Sequence, residues 1–189
     1  TNQRKFKTAQ RIYQEEANRL LSENRKRRIA DVLVQFADAL SRKPEPNQLD
    51  APKPDYNKAY QLYKKALELE IGRSLRDDLR FKLARTIQKA GNNHQAIRDF
   101  HEYLKQFDPN WTGPAGSSQR TDADEDATIK PGQHIPQARY FLAKAQLDNG
   151  NARAARINAE RLVALAERKT WDQPQVLADT RWLLIKTYG

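Results

Sequence analysis

The sequence predicts an all-α solenoid of antiparallel helix hairpins, and three observations carry that reading. A six-residue pattern recurs as Arg80-Phe81-Lys82-Leu83-Ala84-Arg85, Arg139-Tyr140-Phe141-Leu142-Ala143-Lys144 and Arg181-Trp182-Leu183-Leu184-Ile185-Lys186. Twelve residues after Ala84 stands Ala96, with Phe100 four further on; twelve after Ala143 stands Ala155, with Ala159 at the same offset. Between them lie Gly91-Asn92-Asn93 and Gly150-Asn151, breaks of the kind that end one helix and start the next. A repeat of this form marks helical units that cannot bury their apolar faces alone and must stack.

In chain order, helices are predicted over 3–22, 26–41, 57–70, 74–90, 93–107, 135–149, 151–168 and 174–188. The first places Phe6, Ala9, Tyr13, Ala17, Leu20 and Leu21 on one side, an amphipathic pattern. Its stripe slips across Asn24 to Arg28, where charge replaces apolar residues, so a break is placed there. Phe36-Ala37-x2-Leu40 starts the first hairpin, and Asp55-Tyr56-x2-Ala59-x3-Tyr63-x2-Ala66 supplies its second helix. These form a unit over 26–70, interrupted at 42–54 by Pro44, Pro46, Pro52 and Pro54, which exclude a continuous helix and favour an extended loop. Ser74, with Asp77 three residues on, reads as the start of a second unit over 74–107. Residues 108–134, rich in Gly, Ser, Thr, Asp and Pro, read as a mobile surface insertion. Pro136 opens the third unit, 135–168, and Pro174 after Asp172 opens a last helix. That helix, 174–188, begins a fourth unit at which the sequence stops; this and the lack of methionine suggest part of a longer protein.

The run Leu83-Ala84-x2-Ile87-x3-Gly91-x4-Ala96-x3-Phe100 resembles a tetratricopeptide repeat, a helix-turn-helix of about 34 residues with a Leu-small pair in helix A and an Ala-x3-aromatic step in helix B. Small residues let the two helices approach, and large ones fill the space beside them. The likeness covers roughly 26–189 and departs from the family pattern at Ala159, where an aromatic is usual, and at Ile185, where a small residue is usual. The looser hexapeptide is similar to bacterial cell-envelope tetratricopeptide proteins. The resemblance implies a right-handed superhelix whose A helices line a concave groove, and a protein-interaction scaffold without catalytic activity.

The candidate groove residues are Phe81 with Arg85, Tyr140 with Lys144, and Trp182 with Lys186. Each aromatic and base are four apart, hence on one helix face. Such a ladder suits an extended or helical peptide offering acidic and apolar groups. Arg80, Arg139 and Arg181 are weaker candidates, better suited to packing or ion pairing. The net charge of +10 is uneven: residues 1–43 hold 11 Lys and Arg against 5 Asp and Glu, and 135–189 hold 9 against 5. Arg25-Lys26-Arg27-Arg28 is the densest basic patch, a solvated helix junction on the simplest reading and a phosphate contact on the alternative reading as a nucleic-acid-binding solenoid.

Signals for chemistry are weak. His94 and His101 lie seven apart on one helix and His134 in a loop, with no zinc spacing and no triad. Gly113-Pro114-Ala115-Gly116-Ser117-Ser118 lacks the lysine of a phosphate loop. Glu15-Glu16 and Asp77-Asp78 fall on charged helix faces. Asp122, Asp124 and Asp126 alternate as in a calcium loop, but Ala127 and Gln133 stand where glycine and the closing carboxylate belong, so an acidic loop is expected and no metal or cofactor is predicted. Asn110-Trp111-Thr112 is a formal glycosylation acceptor. The chain has no cysteine, the opening residues carry no signal-peptide pattern, and no apolar run nears the roughly 20 residues of a membrane span.

Overall fold

The computed structural model describes residues 8, 11–16, 22–44, 52–69, 71–114, 130–168 and 173–188. Seven helices follow in order: α1 Glu23–Ser41, α2 Tyr56–Leu67, α3 Arg73–Lys89, α4 Asn93–Phe107, α5 Ile135–Asp148, α6 Ala152–Arg168 and α7 Pro174–Tyr188. Residues 11–16 are helical as well, and no strand occurs among the described residues. Most of the predicted helix 3–22, part of the proline-rich insertion, and the acidic triplet Asp122, Asp124 and Asp126 lie outside the described residues. The chain divides into two compact units, Thr1–Leu79 and Arg80–Gly189, with the boundary inside α3.

In the first unit α1 packs on α2. Asp55 N–H donates to the Leu40 carbonyl at 2.9 Å, so the Pro-rich connection closes beside the end of α1, and the Asp55 carboxylate caps α2 by accepting from Lys58 N–H. The interface is built from Ala30 and Ala37 on one helix and Ala59, Tyr63 and Ala66 on the other, all essentially inaccessible. The Tyr63 hydroxyl donates to Asp38. Helix α2 ends three residues earlier than predicted: Leu69 N–H bonds the Ala66 carbonyl, which tightens the last turn, and Ile71 turns inward. Helix α3 starts on the Gly72 carbonyl, which accepts from Arg76 N–H, rather than on Ser74.

Residues 25–28 depart from their expected setting. α1 begins at Glu23, after Ser22, so these cations occupy its first turns, the end where the helix dipole disfavours them. Lys26 is buried, while Arg25, Arg27 and Arg28 are exposed. The four do not form one solvated patch.

The second unit stacks α5 on α4 and α6, and α7 on α6 and α5. Its two hairpin turns are built alike. Gly91, at φ 85°, lets its N–H reach the Gln88 carbonyl and Asn92 N–H reach the Ile87 carbonyl; Gly150, at φ 80°, repeats the arrangement with Leu147 and, through Asn151, with Gln146. Only a residue free of the Cβ penalty enters this region easily. Asn92 and Asn151 then cap the following helices by accepting from Gln95 and Ala154 N–H. The alanines at 84, 96, 143, 155 and 159 are all fully buried. Ala143 and Ala159 form one cluster with Leu183, so α7 packs on the position that departs from the tetratricopeptide pattern.

The ends of the predicted mobile insertion are pinned. Buried Asp108 receives the Arg139 guanidinium at 2.6 Å, and the same side chain donates to the Asn110 carbonyl. The guanidinium lies over Trp111, whose ring meets His101 edge-on. At the other foot, Gly132 N–H bonds the Phe107 carbonyl and His134 N–H the Tyr103 hydroxyl. Residues 108–111 and 132–134 therefore belong to the packed unit.

Candidate binding cleft between α5 and α7

The three copies of the hexapeptide meet different surroundings. In the first, Phe81 is half-buried and its ring stacks on His134 at 4.5 Å, with Phe100, Tyr103 and Phe141 around it. Arg85 does not pair with Phe81; its guanidinium lies 3.3 Å from the centre of the Phe141 ring on α5 and donates to Gln88. Burial pushes its pKa down to about 10. Gln88 in turn donates to the Phe141 carbonyl at 3.1 Å, so this copy is occupied in joining α3 to α5.

In the second copy, buried Arg139 holds Asp108. Tyr140 and Lys144 project from α5 toward α7. Tyr140 is half-buried, edge-on to Phe141 at 4.9 Å, and its phenol is raised above its ordinary value by burial and by Asp179. Lys144 forms an i,i+4 ion pair with Asp148 at 3.1 Å. In the third copy Trp182 is 65% exposed, and Arg181 and Lys186 are exposed.

Four of the six predicted groove residues line one cleft of about 470 Å³: Tyr140 and Lys144 from α5, and Trp182 and Lys186 from α7. Leu147, Asp148, Asp179 and Leu183 complete it. Phe81 and Arg85 are not among the lining residues. Sequence reasoning missed the two aspartates and the two leucines. Their signal was available: Leu147 and Asp148 follow Tyr140 and Lys144 by seven and four residues, and Asp179 precedes Trp182 by three and Leu183 by four, all same-face spacings on a helix. The ionisable groups of the cleft are two lysines, two aspartates and a tyrosine, and among the described residues no group of three His, Cys, Asp or Glu could hold a metal ion.

The surface near the end of α7 is anchored to α6, where the Tyr188 hydroxyl donates to Glu160 at 2.7 Å and Arg156 lies over its ring. Beneath it, a hydrogen bond links buried Asn158 of α6 to Gln146 of α5 at 2.7 Å. The walls of the cleft are thus carried by packed helices rather than by loops. No helix among the described residues is long and apolar enough to cross a membrane.

No protein-family model and no curated protein matches the sequence. Among solved structures, the chain is similar to PcrH from Pseudomonas aeruginosa, with a TM-score of 0.54 and 14% sequence identity over 89% of this chain and 96% of that one. At such identity the likeness is one of fold: an all-helical, tetratricopeptide-like arrangement.

Proposed function

We propose that this chain is a protein-interaction scaffold without catalytic activity that takes a peptide or protein segment into the cleft between α5 and α7. The observation that carries the reading is the exposure of Trp182 at 65% beside Tyr140, Leu147 and Leu183 on packed helices. A large aromatic left open on an ordered wall is the kind of anchor that dominates binding energy when a partner covers it. The contact residues are Tyr140, Lys144, Trp182 and Lys186, while Phe81 and Arg85 hold the wall from behind through Phe141. The tetratricopeptide-like fold supports the same reading, since stacked helical hairpins present extended surfaces for partners.

The basic residues give the nucleic-acid alternative little support. Lys26 is buried, so the four basic residues do not present one continuous charged surface of the kind that tracks a phosphate backbone. The test is a pull-down from the native source with mass spectrometry of retained proteins, followed by titration of the recovered partner. Trp182→Ala and Tyr140→Ala each weaken binding by about 1 to 2 kcal/mol with unchanged helicity. Full affinity in both folded variants, or a retained ligand that is nucleic acid and is released steeply by salt, contradicts the proposal.

A further inference from the structure

The charges of the cleft are arranged by sign along its length. On α7, Asp179 and Lys186 both face the cleft and lie seven residues apart, which places them about 10.5 Å apart along the helix axis. On α5, Lys144 and Asp148 neutralise one another at 3.1 Å. That leaves Asp179 as the anionic end, beside Tyr140, whose phenol feels it. Asp179 accepts a hydrogen bond from the Gln175 amide, a neutral partner, at 2.8 Å. Lys186 is the cationic end and makes no hydrogen bond or ion pair among the described residues. Between the two ends stand Trp182 and Leu183 of α7, with Leu147 opposite.

We infer that the segment this cleft takes is dipolar rather than acidic: an extended peptide with a basic side chain set against Asp179, an acidic side chain set against Lys186, and an apolar residue between them on Trp182. The spacing follows from the two rises. A helix climbs about 1.5 Å per residue and an extended chain about 3.3 Å, so seven helical residues match about three extended ones. Successive side chains of an extended chain point to opposite faces, so the nearest spacing that keeps both charges and the apolar residue toward the cleft is four. The recognised pattern is therefore a base and an acid four positions apart, about 13 Å and within side-chain reach of Asp179 and Lys186, with an apolar side chain midway. The inference rests on the cleft being the binding site and revises the acidic ligand that the lysines alone suggest. Charge complementarity of this kind fixes register and excludes like-charged competitors.

The experiment is selection of a displayed random peptide library on the full chain, followed by titration of the enriched peptides against Trp182→Ala, Asp179→Lys and Lys186→Glu. The enriched peptides are expected to carry one base and one acid at that spacing and to bind each charge-reversal variant about tenfold more weakly. Exchanging the peptide base for Glu restores binding to Asp179→Lys, and exchanging its acid for Lys restores binding to Lys186→Glu. Enriched peptides that carry acids alone, bind through Trp182 and bind Asp179→Lys more tightly overturn the dipolar inference and leave the cleft standing. Selection that yields no peptide dependent on Trp182 overturns the cleft itself, and the inference with it.

Discussion

The ion pair between Arg139 and Asp108 ties α5 to the end of α4 through side chains that are 3% and 1% exposed. A buried pair of this kind is an uncertain source of net stability, but removing one partner strands the other charge. Arg139→Met is therefore expected to cost about 3 to 5 kcal/mol, read as a lower denaturant midpoint; an unchanged midpoint would show that Asp108 finds water or another donor. His101, beside the same Trp111, gives a pH dependence. Burial holds its imidazole below the ordinary 6.5, so the unfolded chain takes up this proton first as pH falls. Stability contributed by neutral His101 is complete above about pH 6.5 and declines as pH drops below it toward the folded value. Thermal midpoints measured from pH 7 to pH 5 should fall less steeply in His101→Gln than in the parent, and equal slopes would contradict this. The repeat pointed to packing or ion pairing for Arg80, Arg139 and Arg181 alike, because they share a sequence position, but not to which of them would pair or with what. The partner Asp108 lies 31 residues from Arg139, and no local spacing reports such a contact.

At the level of elements, α4 and α7 match their predicted bounds, and α3, α5 and α6 come within one residue at either end. The cause is local: Gly91-Asn92 and Gly150-Asn151 each combine a left-handed glycine with a side chain that caps the next helix, and both signals are written in adjacent residues. Boundaries decided by tertiary packing were less legible, as at Ile71, whose inward turn follows the early end of α2. The insertion 108–134 divides the same way. Its polar composition pointed to a loop, yet Trp111 and Asp108 at one foot and Gly132 and His134 at the other are held by α4 and α5. Replacing 115–129 with a short Gly-Ser linker should leave the unfolding midpoint nearly unchanged, since loop length enters closure entropy only logarithmically. Extending the replacement to 111–132 should lower it clearly, through loss of the Trp111 and Gly132 contacts. Equal effects of the two replacements, followed by denaturant and circular dichroism, would refute this division.

Across the molecule, the repeated hexapeptide is read differently according to what covers it. The first copy is roofed by α5, through Phe141 over Arg85 and Gln88; the second faces α7; in the third, Trp182 and Ile185 remain 65% and 61% exposed. In a solenoid each unit packs on its neighbours, so equivalent positions of a repeat meet different surroundings from copy to copy. Four residues of the sequence ladder line one cleft, yet the ladder could not say which rungs would be covered, and Phe81 with Arg85 pack instead against His134 and Phe141. The central claim is that the cleft between α5 and α7 receives a peptide. Amide chemical-shift mapping of the full chain during titration with a selected peptide tests it most directly. The account predicts that the largest changes fall at Tyr140 to Asp148, at Asp179 to Lys186 and at the Trp182 indole N–H; changes concentrated instead at Arg25 to Arg28, or around Phe81 and Arg85, would contradict it.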